Sequence, residues 1–556
     1  MNTIEVADRL QAAVEAGHVL GLSLAIVQNG AIVFNRGYGR TVAVETGVPV
    51  SPDTLFAYGS IGKTVCGVLV LRLVQAGLLD LDRPLVTYLP RLAFSDEQAG
   101  KRLTLRHVLS HTTGLPAAGR EYGPQGPGIL QQVIEDEILH YPFLAEPGAL
   151  HLYSNTAFCL AGYAAEAVTG VPYDRLAREW VFKPLAMESV TFDPPAASTG
   201  RLALPHEARD QTLQPIARLP ANDAGHPSSF AYGTARDLAH LAIVHLEQGH
   251  FQGQPFLAPR SLAEMHREQA SRYIAGAAHP LAYVSSGYGL GLITGHYHGH
   301  RVLRHGGMTL SYNCFFELLP DERFGFVLLT NASEEEPLME LVVFLYDQML
   351  SRLHRGLVPV PAPKPYTDSE ETARWCLYEG AYHNVEWGRM AKVRRSGDEL
   401  LLHRRGEGEE LALKAIAPGR YIAALPSGSR LPVAFLGDGA APVAHMILAG
   451  EPYQRHIRQP AAEAPAGLTD FAGRYRDPYN TNPGEILHLK IVDGRLWLRE
   501  GHGEAMACEP LGGMAYHCDL GFFELQRSVD DTGPLLVWGR ATRYRRVSPG
   551  RLGDDP

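Results

Sequence analysis

Ser60 and Lys63 are the first residues in this 556-residue chain whose types and spacing suggest covalent chemistry. They open a run, Ser60 to Leu79, that reads as a helix apolar on most of its faces. A helix so apolar is a buried one. Lys63 then lies one turn beyond Ser60 on the same face and points inward. The N-terminus of a helix offers free N–H groups and partial positive charge. A serine there is placed to attack a carbonyl while its own N–H helps to hold the oxyanion. Burial lowers a lysine pKa toward that of a useful base, which is why nucleophilic chemistry wants this pair. With 23 serines and 7 lysines in the chain, the spacing alone is a weak signal. A capping serine with a surface lysine would look the same; the apolar run behind Lys63 is what argues against it.

Two further clusters could complete such a site. Tyr153-Ser154-Asn155 follows Glu146-Pro147-Gly148 and precedes an apolar helical run, Ala157 to Ala167. A tyrosine beside a lysine loses its proton more readily and could relay protons to and from Ser60. Asn155 could donate to a substrate carbonyl or orient Lys63. A packing tyrosine and a capping asparagine are the alternative. His305-Gly306-Gly307-Met308 lies in a strand-like run that begins near Arg301. Paired glycines in a strand mark close approach by a ligand or another backbone. A substrate lying antiparallel to this strand would need that clearance, and the Met308 N–H would be a second oxyanion donor. The alternative is a turn with a surface histidine.

The elements around these clusters mix strands and helices. Leu22–Val27, Asn29-Gly30 and Ala31–Asn35 form a hairpin signal, since Asn-Gly suits a type I′ turn. Asp237–Leu246 and Glu335–Leu353 read as helices, Phe315–Leu318 and Gly325–Leu329 as strands. Strands at both ends with helices between predict an α+β domain whose sheet joins N- and C-terminal strands. Two proline-rich linkers, 358–365 and 459–467, then divide the chain into 1–357, 368–458 and 468–550. The last two segments look like copies. Tyr378-Glu379-Gly380-Ala381-Tyr382 matches Phe471-Ala472-Gly473-Arg474-Tyr475, and Tyr453-Gln454-Arg455 matches Tyr544-Arg545-Arg546. Period-two runs such as Leu487–Ile491 predict a small antiparallel barrel in each.

Composition narrows the function. With 50 basic and 60 acidic residues and no basic block, nucleic acid is not the expected partner. The longest apolar stretch, Val65–Leu79, is broken by Arg72 and Gln75 and is too short to cross a membrane. No secretory signal is read at the start, and none of the six cysteines forms a C-x-x-C pair. A cytoplasmic protein with reduced thiols is expected, one that acts on a small molecule or short peptide and could form homo-oligomers. His296, His298 and His300 could share a strand face, but no carboxylate or cysteine completes a metal set. No metal and no organic cofactor are expected. His111 is read as a structural hydrogen-bonding residue.

Ser60-x-x-Lys63, Tyr153-x-Asn155 and His305-x-Gly307, in that order, resemble the S-x-x-K, Y-x-N and [KH]-x-G signatures of the serine β-lactamase and penicillin-recognising enzyme superfamily. Leu109–Leu115, Phe182–Met187 and Tyr288–Leu292 also look like its recurrent segments, so the resemblance covers about 1–355. It implies a β-lactamase-like domain: an antiparallel sheet flanked by helices, plus an all-helical region. Followed by two barrels, the first lipocalin-like, the layout resembles D-stereospecific aminopeptidases. The resemblance implies catalytic roles for Ser60, Lys63 and Tyr153, and substrate contacts from Asn155, His305, Gly306, Gly307 and Met308. It implies a serine hydrolase acting through an acyl-enzyme, most like a D-aminopeptidase or amidase. Carboxylesterase, weak β-lactamase and a non-catalytic penicillin-binding scaffold stay open. One departure matters. A lysine usual at the third motif is a fixed cation, whereas His305 with an ordinary pKa near ~6.5 is mostly neutral at pH 7. That weakens recognition of a substrate carboxylate unless a neighbour such as Arg304 supplies the charge. The expected test result is a mass adduct on Ser60 after exposure to a fluorophosphonate, absent from Ser60→Ala; wild-type labelling of that variant would refute the assignment.

Overall fold

A computed structural model describes residues 3–546, apart from 45–46, 95, 117–121, 194–200, 210–211, 217, 273–286, 353–365, 367–368, 385–388, 405–409, 426–429, 438–440, 457–467, 477–486, 493–494, 501–505, 513–514, 519–520, 528–533 and 539–541. Both proline-rich linkers lie outside the described residues.

The hairpin forms as its sequence demands. Strands Val19–Gln28 and Ala31–Gly39 meet at Asn29 and Gly30, with φ of 51° and 78°. Strand Val19–Gln28 also pairs with Phe324–Ser333, so the two ends of the domain close one sheet. That antiparallel sheet has eight strands, in the order 31–39, 19–28, 324–333, 312–319, 300–309, 293–297, 287–288 and 270–271. Helices Thr3–Glu15 and Glu335–Arg352 supply the apolar cover for one face. The other face packs on a larger core that holds helices Gly62–Gln75, Asn155–Thr169 and Ala235–Leu246. The helix expected over 60–79 runs from Gly62 and stops at Gln75, just before Gly77 adopts φ +76°.

Strand His300–Thr309 is paired unevenly. Its partner 312–319 follows it from Leu303 to Thr309, whereas 293–297 leaves it at Ile293–Arg304. Among the described residues, the second edge of 305–309 therefore carries no strand. The turn around Ser60 comes up to it instead. A Cβ on Gly307 would lie 2.0 Å from the Tyr58 carbonyl oxygen, and one on Gly59 2.8 Å from the Met308 nitrogen. Gly307 is thus a glycine because the protein's own backbone passes there, not because substrate does. Gly306 differs: a Cβ there would meet only the Cys314 carbonyl oxygen, at 3.8 Å.

Strands from Gly380–Asn384 to Glu451–His456 form a closed, eight-stranded antiparallel barrel. The third unit spans the residues expected to form a second barrel. Its described residues form a nine-stranded sheet whose end strands, 506–507 and 509–512, follow one another in the chain with one residue between them. Cys508, that residue, donates its N–H to the Leu496 carbonyl at 2.8 Å and so continues the pairing of 506–507 with 495–500. The repeated tyrosines do the same work. Tyr382 Oη donates to the Tyr378 carbonyl and Tyr475 Oη to the Phe471 carbonyl, each at 2.6 Å. In cross-strand register, Tyr382 faces Arg455 and Tyr475 faces Arg546.

Gly307→Ala should cost about 1–3 kcal/mol or prevent folding, because backbone must move. Gly306→Ala should stay within about 0.5 kcal/mol of wild type. Urea unfolding of the two variants checks this; equal losses would contradict the assigned packing.

Candidate active site

Strand Phe56–Ala57 turns sharply into the helix through Gly59, whose φ of +52° is left-handed. Ser60 follows in a short 3₁₀ turn that runs into Gly62–Gln75. Lys63, one turn on, is fully buried. Its Nζ donates to Ser60 Oγ at 3.1 Å, Asn155 Oδ1 at 2.6 Å and the Ser228 carbonyl at 3.2 Å. All three acceptors are neutral. They share the Lys63 amine, and one of them is the candidate nucleophile. Ser154, not Asn155, caps its helix, with Oγ accepting from the Ala157 N–H at 3.1 Å. Asn155 is thereby left to orient Lys63.

Tyr153 comes from a loop without regular structure, so its position must be fixed by contacts. His111 does much of this. Its carbonyl accepts from Leu152 N at 2.7 Å and its Nδ1 from Ser154 N at 3.0 Å, gripping the residues on either side. The His111 ring packs against the Tyr153 ring, with centres 4.2 Å apart and planes tilted by 35°. Lys63 Nζ stands 4.8 Å from the centre of that phenol ring. The structural role read for His111 holds, and the contact makes it a positioning residue for Tyr153.

His305 is buried rather than a surface residue of a turn. Its Nδ1 lies 2.6 Å from the Gly306 carbonyl and its Nε2 2.8 Å from Tyr288 Oη. A carbonyl only accepts, so Nδ1 carries the proton and Tyr288 donates to Nε2. Burial, with Lys63 and Arg272 nearby, pushes the His305 pKa down to about 3. Burial and the Arg272 charge push His151 down to about 3, and burial holds His111 well below its ordinary value. The site is therefore lined by neutral imidazoles beside two basic side chains, Lys63 and Arg272. Arg272 is the cation that the sequence did not reveal. It lines the cavity, its Nε is buried without a hydrogen-bond partner, and burial lowers its pKa to about 10. Arg304 also lines the cavity but leaves the strand on the face opposite His305, across from Glu317.

The cavity over these residues holds about 670 Å³. Ser60, Tyr153, Asn155, His305 and the 306–308 backbone all reach it, with an apolar side formed by Val133, Tyr141 and Phe230. The would-be Cβ of Gly307 lies 3.3 Å from Ser60 N, and that of Gly59 lies 2.8 Å from Met308 N, so both expected oxyanion donors border one narrow gap. The Met308 side chain is exposed and contributes only through its backbone. The three alternating histidines do not share a strand. The chain reverses at His298 and Gly299, with φ of 48° and 85°, and His300 pairs with Glu322 at 2.6 Å. Besides Arg272, sequence reasoning missed the Ser228 carbonyl and Tyr288. Tyr288 carried a signal, since it sits in the Tyr288–Leu292 segment already singled out; Arg272 and Ser228 carried none.

The beta-lactamase family description matches residues 6–344. The chain is 26% identical over 324 residues to Penicillin-binding protein 4 of Amycolatopsis lactamdurans, covering 57% of this chain and 81% of that protein. It is 30% identical over 376 residues to "Putative beta-lactamase-like 1" of Homo sapiens, covering 64% of this chain and 70% of that one. The solved structure of SurE with D-Leu aligns with a TM-score of 0.61 at 23% identity, over 81% of this chain and 98% of SurE. Other solved structures share the fold. One is a class C β-lactamase, with TM-score 0.51 and 18% identity over 63% of this chain and 97% of its own. The hydrolase EstCE1 aligns at 0.51 and 22%, over 61% and 97%. The D-amino acid amidase of Ochrobactrum anthropi aligns at 0.52 and 19%, over 63% and 99%.

The neutral imidazoles set a pH dependence of stability. His151 and His305 titrate near ~6.5 when unfolded and near about 3 when folded. Their contribution is complete above the unfolded value and is lost as pH falls toward the folded one. Unfolding free energy should fall between pH 6.5 and 5 by up to about 1.4 kcal/mol per pH unit for each such histidine. Urea melts across that window check it; constant stability from pH 7 to 5 would contradict a neutral cluster.

Proposed function

The chain belongs to the beta-lactamase family, and from that premise we propose that it is a serine hydrolase acting through an acyl-enzyme on small amide, peptide or ester substrates. The carrying observation is Lys63 Nζ, held between Ser60 Oγ and Asn155 Oδ1 at the base of the cavity. Ser60 Oγ attacks the substrate carbonyl, and its proton passes to Lys63 in its neutral form or to a Tyr153 phenolate that the Lys63 ammonium stabilises. The N–H groups of Ser60 and Met308 hold the oxyanion. As the tetrahedral intermediate collapses, Tyr153 or Lys63 protonates the departing amine or alcohol. Water then attacks the acyl-Ser60 ester by the reverse proton route and releases the acid. Asn155 and the free edge beyond His305 orient the substrate.

The substrate reading is a D-amino-acid amide, peptide or ester, with a carboxylesterase second and a weak β-lactamase third. SurE was solved with D-Leu, and the D-amino acid amidase of Ochrobactrum anthropi shares the fold. A neutral, buried His305 supports substrates that need no cation at that position. The shared tyrosine bonds and cross-strand register of 368–458 and 468–550 support reading the last unit as a second copy of the barrel.

A panel of D- and L-amino-acid p-nitroanilides, p-nitrophenyl esters and a chromogenic cephalosporin tests the reading. Wild type should favour the D-aminoacyl anilides over their L counterparts, and Ser60→Ala should lose activity by at least about 10⁴-fold. Turnover kept by Ser60→Ala would overturn the mechanism. The cephalosporin or an achiral ester as best substrate would overturn the D-amino-acid assignment.

A further inference from the structure

The closed barrel shows an irregularity on its outer surface. Along strands Arg430–Leu436 and His445–Leu448, alternate residues Leu431, Val433, Phe435, Met446 and Leu448 fill the barrel interior. The intervening residues point outward, and there solvent-facing polar groups would be expected. Instead Ala434 faces Ile447 and Leu436 faces His445 in cross-strand register. Ala434 and Ile447 are buried there, in a cluster closed by Leu144, Leu150 and Leu152 of the hydrolase domain. His445 Nε2 donates to the Leu144 carbonyl at 3.0 Å.

The covered segment is the loop that delivers Tyr153. On its inner side it hangs from three backbone bonds, Leu144 N to the Gly114 carbonyl, Gly148 N to Thr112 and Leu152 N to His111, at 2.7–2.8 Å. It has no ladder or helix of its own, so its outer side is held by side-chain contacts: an Arg102–Glu146 ion pair, the His445 bond and apolar packing. The bond and the apolar packing come from the barrel. We propose that His445 and Ile447 are positioning residues of the catalytic site: the barrel clamps 144–152 against His111 and so fixes the Tyr153 phenol. This rests on the reading of Tyr153 as the group that moves protons at Ser60. A second contact has the same direction. Glu451, whose Oε2 accepts from Asn384 Nδ2 at 3.1 Å, is near enough to Arg272 for their charges to interact.

The full chain tests this with His445→Ala and Ile447→Ala. Hydrogen exchange over 144–154 should speed up in both, whatever the substrate proves to be. Turnover of an anilide, whose amine must be protonated as it leaves, should fall about tenfold, as small misplacements of catalytic groups do. Turnover of a p-nitrophenyl ester, whose leaving group needs no proton, should fall less than about threefold. Tyr153→Phe should exaggerate the same split. His445→Gln, which can still donate to the Leu144 carbonyl, and Ile447→Val should recover most of both exchange protection and rate. Unchanged exchange over 144–154, or equal loss of anilide and ester turnover, would overturn the proposal. Failure of the wild type to be labelled at Ser60 would instead overturn the hydrolase reading, leaving the exchange result to decide the clamp.

Discussion

Everything at this site follows from burying one lysine. An ammonium taken out of water costs several kcal/mol unless its protons find acceptors. Lys63 donates to the Ser60 hydroxyl in its own turn, to Asn155 at the start of another helix and to the Ser228 carbonyl. Satisfying the lysine therefore docks two other parts of the chain against the Ser60 turn. It also explains a small detail of sequence order. Ser154 takes over the helix cap, so that Asn155 can face Lys63.

The same cation organises its surroundings at longer range. A charged imidazole beside Lys63 and Arg272 would be repelled as well as desolvated, so His305 and His111 are held neutral. Neutral rings can then act as hydrogen-bond partners of fixed polarity. His111 accepts from Ser154 N, and His305 accepts from Tyr288 while donating to its neighbour's carbonyl. On the opposite side, two backbones approach through Gly59 and Gly307 without a Cβ between them, which brings Ser60 N and Met308 N to one gap. The barrel completes the frame from outside, closing over the loop that carries Tyr153.

Local features of this arrangement were legible in the sequence. Ser60 and Lys63 are one helical turn apart, the Asn29-Gly30 hairpin is a two-residue turn, and the apolar run after Lys63 reports its own burial. Their geometry is set within a few residues. Other features depend on chain segments far apart. Arg272 enters the site from the far edge of the sheet and shares no motif with its neighbours. Period-two spacing placed His296, His298 and His300 on one strand, but Gly299 was the signal of a turn. The two glycines after His305 read alike, yet Gly307 meets the Tyr58 backbone and Gly306 meets open space. The repeat in the last two units was visible in its tyrosines, whereas the strand order of the last sheet depends on pairings that no motif encodes.

The central claim is that buried Lys63 activates Ser60. The most direct measurement is the second-order rate of fluorophosphonate labelling at Ser60 in wild type and in Lys63→Met, with folding checked by thermal melting. Met preserves the chain's length and apolar stem while removing the charge and the donors. Labelling should slow by about 10²–10⁴-fold, the range of general base contributions. A folded Lys63→Met protein labelled at the wild-type rate would contradict the account.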